Sequence, residues 1–210
     1  MDTPDTGSSG LLIANDGWCP DAARYDSPHF NERPAGTRIS LLVIHNISLP
    51  AGQFGGPHIA DLFLNRLDYA AHPSFESLRD LQVSAHFLIR RDGGLLQFVS
   101  ANRRAWHAGS SCFYGRSGCN DYSIGIELEG SDEVPFEEAQ YRALTELSLA
   151  LAAVYPLTHI VGHEHIAPGR KTDPGPCFDW RRYQRLTQEK FTADSRLALT
   201  HAMPSFPFGL

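Results

Sequence analysis

The chain has 210 residues, 42% of them apolar and 20% charged, which suits one soluble globular domain able to bury its own core. Its formal net charge of −6 argues against an electrostatic nucleic-acid binder, because phosphate contacts need clustered Lys and Arg. The longest apolar stretch, residues 144–157, is broken by Thr145, Glu146 and Ser148 and is no membrane span.

Residues 1–10 (MDTPDTGSSG) are polar and acidic, where an export signal would be basic and then apolar. They imply a flexible leader over residues 1–16 and a cytoplasmic protein. Cys19, Cys112, Cys119 and Cys177 form no CxxC pair and are expected as reduced thiols. Residues 24–34 read as an irregular surface segment on Pro, Asn and Asp grounds. Residues 39–45 (ISLLVIH) are the first firm element, a buried strand, followed by a Pro/Gly loop over 49–56.

Residues 84–90 and 95–99 predict two strands of a hairpin around the Arg91-Asp92-Gly93-Gly94 turn. Residues 123–129 (SIGIELE) alternate, with Ile124, Ile126 and Leu128 on one face and Gly125, Glu127 and Glu129 on the other. Residues 137–155 predict a helix: Leu144, Leu147, Leu151 and Val154 recur at helical spacing, and Pro156 stops it. A short strand at 159–162 leads into a loop, a helix follows over 180–191, and residues 193–210 read as a loosely held tail. This order predicts a single α/β domain, over residues 17–192, that presents polar groups at strand ends.

Three features carry chemistry. His45 ends a buried strand beside Asn46, a position from which a polar side chain projects into a cleft. The stretch 162–176 (GHEHIAPGRKTDPGP) holds His163, His165, Lys171 and Asp173 in a Gly/Pro-stiffened frame. Imidazoles and carboxylates are ordinary zinc ligands, and three of them leave one position for water. Glu127 or Glu129 would then act as general base on that water. Spacing alone leaves open which His of the pair, and which Glu, takes each role.

At these residues the chain resembles the N-acetylmuramoyl-L-alanine amidases of the zinc amidase type 2 superfamily, which includes T7-like lysozymes and peptidoglycan recognition proteins. Within that group it is similar to the cytosolic 1,6-anhydro branch. The stretches that carry the likeness are LLVIHNISLP, GQFGGP, VSAHFLIRRDG, RAWHAG, CNDYSIGIELEG and GH-x-x-IAP-x-RKTDPGP, spanning about residues 17–183. The resemblance implies a mixed central β-sheet flanked by helices. It also implies one Zn²⁺ per chain on His45, His163 and Asp173, with Glu127 and Lys171 catalytic. His165 falls where the family places no ligand. Asn46, His86 and Trp106 fall in blocks expected to line the substrate groove, and Arg116 is a candidate for a stem-peptide carboxylate. Gln82 and Gly118 stand where some relatives carry Arg. The implied reaction cuts the bond between anhydro-N-acetylmuramic acid and L-alanine in anhydro-muropeptides during peptidoglycan recycling. No nucleic-acid, membrane or obligate protein partner is expected.

Three other readings draw on the same parts. An amidase acting on intact peptidoglycan would need export. An iron oxygenase with two His and one carboxylate usually draws on a tight HxD or HxE pair, which the distant Asp173 does not complete. A zinc-free peptidoglycan-binding module typically lacks a ligand, whereas all three positions are filled here.

Overall fold

In the computed structural model, which describes residues 10–193 and 204–206, the apolar runs of the sequence become the middle of a six-stranded sheet. In chain order come β1 (Ala23–Arg24), β2 (Phe30–Asn31), β3 (Leu41–Ile47), α1 (His58–Phe63), β4 (Phe87–Ile89), β5 (Leu95–Gln97) and β6 (Arg104–Ala105). Then follow β7 (Cys112–Phe113), β8 (Arg116–Ser117), β9 (Ser123–Glu129), α2 (Glu138–Val154), β10 (His159–Gly162), α3 (His163–Ile166) and α4 (Trp180–Ala193). The main sheet is ordered β1-β5-β4-β9-β3-β10, parallel except for the β4–β5 hairpin. It is a mixed sheet flanked by helices, and none of the described helices is long and apolar enough to cross a membrane.

Strand β3 is apolar throughout its first half because it is covered on both sides. Leu42 and Ile44 join Ile124, Ile126 and Leu128 against Leu144, Leu147 and Leu151 of α2. Leu41 and Val43 face the opposite cluster with Val161 and Ile166. Helix α2 is tied to the sheet at its start, where the Glu137 amide donates to Gln140 Oε1 and Gln140 Nε2 donates to the Glu129 carbonyl. Val154, expected on the buried stripe, is 48% exposed, and the neighbouring Tyr155 takes the core place.

Residues 24–34 run irregularly along the surface, as expected, and are pinned at two points: Ser27 and His29 are buried, with Ser27 Oγ donating to the Phe63 carbonyl. Arg33 donates to the carbonyls of Ala101, Asn120, Asp121 and Ser123, clamping the chain that enters β9. Helix α1 supplies Ile59, Leu62 and Phe63 to a second core with Phe75, Leu88 and Phe98. Residues 1–9 of the expected leader and 194–203 and 207–210 of the tail lie outside the described residues. Leu11 and Ile13 pack on the main core rather than trailing as a leader. Ser205 bridges to His159, and Phe206 lies 5.3 Å from the Tyr183 ring, so this part of the tail is held.

Candidate active site

The β3–β9 register sets the site. Ile44 lies beside Ile126 on the face toward α2, and one step on, His45 lies beside Glu127 on the other face. That face is apolar at Leu41 and Val43 and turns polar near the carboxyl ends of parallel strands, where open α/β sheets place their ligands. Neighbouring β10 delivers His163 as the first residue of α3. Asp173, ten residues later, is brought back to it by a bond from the Glu164 amide to the Asp173 carbonyl, 2.9 Å.

Three donor atoms converge there. His45 Nδ1 is 3.0 Å from His163 Nδ1 and 2.9 Å from Asp173 Oδ2, and His163 Nδ1 is 3.1 Å from that same oxygen. His45 and His163 are buried and Asp173 is partly so. His163 Nε2 lies 3.1 Å from the Ala108 carbonyl, which can only accept, so the proton sits on Nε2 and Nδ1 keeps its lone pair for the cluster. Burial alone would raise the Asp173 pKa, but the two imidazoles hold it well below the usual carboxylate range. Burial likewise lowers His45, against the pull of Asp173. Two neutral imidazoles and an ionised carboxylate around one point suit a divalent cation such as zinc.

The structure separates residues that spacing could not. Glu127 Oε2 is buried with no hydrogen-bond partner among the described residues, and burial pushes this carboxyl well up, with Asp173 adding and Lys171 opposing. Glu129 is more deeply buried but spent: Oε1 accepts from Gly55 N and Arg90 Nη1, and Oε2 from Arg91 N. His165 Nδ1 accepts from Gly162 N, and its ring packs on Trp180, outside the three-donor cluster.

Lys171 is exposed and lines an open cavity of about 510 Å³ with Asn46, Asp132, Arg170 and Asp173. Asn46 is held there by Asp132 Oδ1 at 2.7 Å, a partner the sequence did not suggest. Trp106 is half-buried and donates from Nε1 to Asn31 Oδ1. His86 differs from expectation: it is fully buried, accepts from Gly125 N and donates to the Arg103 carbonyl, so it is no part of a groove wall. Arg116 lies on the exposed β7–β8 hairpin with its guanidinium 3.8 Å from the centre of the Tyr122 ring. One residue without an assigned role emerges. His107, next to Trp106 in the RAWHAG block, has Nδ1 3.0 Å from His45 Nε2.

The 1,6-anhydro-N-acetylmuramyl-L-alanine amidase AmpD of Citrobacter freundii is 51% identical over 177 residues, covering 83% of this chain and 95% of that protein. The crystal structure of a Se-Met AmpD derivative superposes with a TM-score of 0.80 at 51% identity, over 83% of this chain and 99% of that one. The amidase AmiD from E. coli, solved with anhydro-N-acetylmuramic acid-L-Ala-D-gamma-Glu-L-Lys, gives a TM-score of 0.52 at 30% identity, over 84% of this chain and 65% of that one. The family described as N-acetylmuramoyl-L-alanine amidase matches residues 35–176, a span that holds His45, Glu127, His163, Lys171 and Asp173. The chain belongs to the N-acetylmuramoyl-L-alanine amidase family.

Proposed function

We propose that the protein is a zinc-dependent amidase that cuts the bond between 1,6-anhydro-N-acetylmuramic acid and L-alanine in anhydro-muropeptides, in the cytoplasm, for peptidoglycan recycling. Residues 17–192 form its catalytic unit. The observation that carries this reading is the unpartnered, buried Glu127 Oε2 on the strand beside the converging His45, His163 and Asp173. Relatives about half identical over nearly their whole length are named as amidases of this specificity, and the AmiD complex holds an anhydromuramoyl peptide.

His45, His163 and Asp173 would hold the zinc. Bound there, zinc supplies a Lewis acid that activates a poor electrophile, the amide carbonyl, and acidifies water. Glu127 takes a proton at Oε2 from the attacking water and later passes one to the alanine nitrogen as the C–N bond breaks. Burial moves this carboxyl up from the ordinary Glu range, toward the working pH at which a base can also return its proton. Lys171, an ammonium at the cavity edge, donates to the oxyanion that develops on the carbonyl. Asn46, Trp106 and Arg116 are the proposed substrate contacts, with Arg116 facing a stem-peptide carboxylate.

The test is mass spectrometry of purified protein with anhydromuramoyl-tripeptide and, in parallel, intact sacculi, each with and without a zinc chelator. Chelator-sensitive release of tripeptide from the anhydro substrate, with little from sacculi, is the expected result. Release mainly from sacculi would overturn the recycling role. Binding without release by zinc-loaded protein would overturn catalysis itself.

A further inference from the structure

We infer that His107 is a positioning residue that fixes the tautomer of His45, presenting the His45 Nδ1 lone pair to the metal through a partly buried hydrogen-bond chain ending on the Cys119 carbonyl. This rests on the reading of His45 as a ligand. The direction of every proton in the chain follows from its far end. Ser123 Oγ is 2.6 Å from the Cys119 carbonyl oxygen, which can only accept, so the one hydroxyl proton points there. Toward His107 Nε2, 3.1 Å away, Ser123 Oγ therefore accepts, and the imidazole carries its proton on Nε2. A neutral His107 then has a bare Nδ1. That nitrogen is 3.0 Å from His45 Nε2 and accepts its proton. What remains on His45 is an unprotonated Nδ1 directed at His163 and Asp173.

His163 reaches the same state by a shorter route, its Nε2 donating directly to the Ala108 carbonyl. Both ligands thus follow the general pattern in which a metal-binding imidazole donates its second N–H to a fixed acceptor. For His45 the acceptor is an imidazole, His107 Nδ1, in place of a backbone carbonyl.

The fold makes room for it. A Cβ built on Gly125 would stand 2.4 Å from His107 Cγ and 2.5 Å from Nδ1, so only glycine at this point of β9 lets the ring lie flat against the strand. Gly125 also donates its amide to His86 Nδ1, and the His86 ring lies 5.6 Å from that of His107 at a steep angle, backing it. Asn120 Oδ1 accepts from the amides of His107 and Ala108, fixing the backbone that carries both outer partners.

The experiment measures the zinc dissociation constant by competition with a chromophoric chelator, together with ¹⁵N NMR of the His45 ring in zinc-free protein. His107→Phe keeps ring bulk and removes the acceptor. It should weaken zinc by roughly 10–100-fold, the usual effect of losing an outer-shell partner, and release His45 from a single Nε2–H tautomer. His107→Asn, which sets an amide oxygen near the lost Nδ1, should recover most of the affinity. Ser123→Ala should weaken zinc in the same direction but less, and it carries the test if His107→Phe does not fold. Wild-type affinity in a folded His107→Phe or in Ser123→Ala, or a wild-type His45 protonated on Nδ1, would overturn the inference. Wild-type protein that binds no zinc would instead overturn the ligand reading on which it rests.

Discussion

Changing Glu127 to Gln removes the proton-accepting oxygen while leaving volume and strand pairing almost untouched, so its effects separate chemistry from fold. Glu127→Gln should lose about 10²–10⁴ in turnover of anhydromuramoyl-tripeptide while keeping its zinc. Metal content and a rate assay on the same preparation check this, and near-normal turnover would remove Glu127 as base. A second consequence is thermodynamic. Burial raises the folded-state pKa of Glu127, so the metal-free folded protein binds that proton at pH values where the unfolded chain has released it. The stability this contributes is complete below the ordinary Glu range and is lost as pH rises through the raised folded value. Relative to Glu127→Gln, metal-free wild type should therefore lose stability steadily as pH climbs from the ordinary Glu range. Urea unfolding of both proteins across pH, with chelator present, measures the gap; a gap independent of pH would mean the carboxyl is not desolvated.

Along a single strand the same residue type is put to opposite uses. Glu127 pairs with His45 in register and its Oε2 has no hydrogen-bond partner among the described residues, whereas Glu129 pairs with Ile47 at the strand end, where three donors close on it. Removing Glu129 takes its carboxylate partner, 3.0 Å away, from the mostly buried Arg90 and leaves that guanidinium only the Gly56 carbonyl at 2.9 Å among its described partners. Glu129→Ala should cost about 3–5 kcal/mol, as broken buried ion pairs do, while zinc affinity stays near wild type in the folded fraction. Thermal and urea unfolding set against zinc titration decides it. Period-two alternation put both Glu on one face and could go no further, because what divides them is which loops reach each end of the strand. The His163–His165 ambiguity has a similar origin. Both lie on α3, where two residues turn the chain by about 200°, so they point to nearly opposite sides, but a loop reading has no such geometry. Strands 123–129 and 159–162 and helix 137–155 were legible because burial imposes a period on them. Two-residue ladders such as β1 and β7, and the six residues of α1, are too short to show any period.

Across the whole molecule, the site is a junction of segments distant in sequence, and that makes metal binding a property of the fold. His45 comes from β3, Glu127 from β9, His163 from the start of α3, Asp173 from the loop after α3, and His107 from the segment after β6. An unfolded chain scatters these donors, so zinc held by the proposed ligands would bind the native state in strong preference and add stability as RT ln(1 + [Zn]/Kd). At a hundredfold excess over Kd this is about 2.7 kcal/mol, worth roughly 5–11 °C in Tm for a domain of this size. Wild-type Tm should rise with free zinc on that logarithmic course and fall back with chelator. Asp173→Ala keeps the scaffold but leaves two imidazoles, so its Tm should be nearly insensitive to zinc over the same range. Glu127→Gln, whose carboxyl is not a proposed ligand, should keep the wild-type response. Calorimetry of the three proteins over a zinc series separates a metal ligand from a neighbouring residue that is not one. An Asp173→Ala protein that still gained stability with zinc like wild type would move the metal away from the β3–α3 junction.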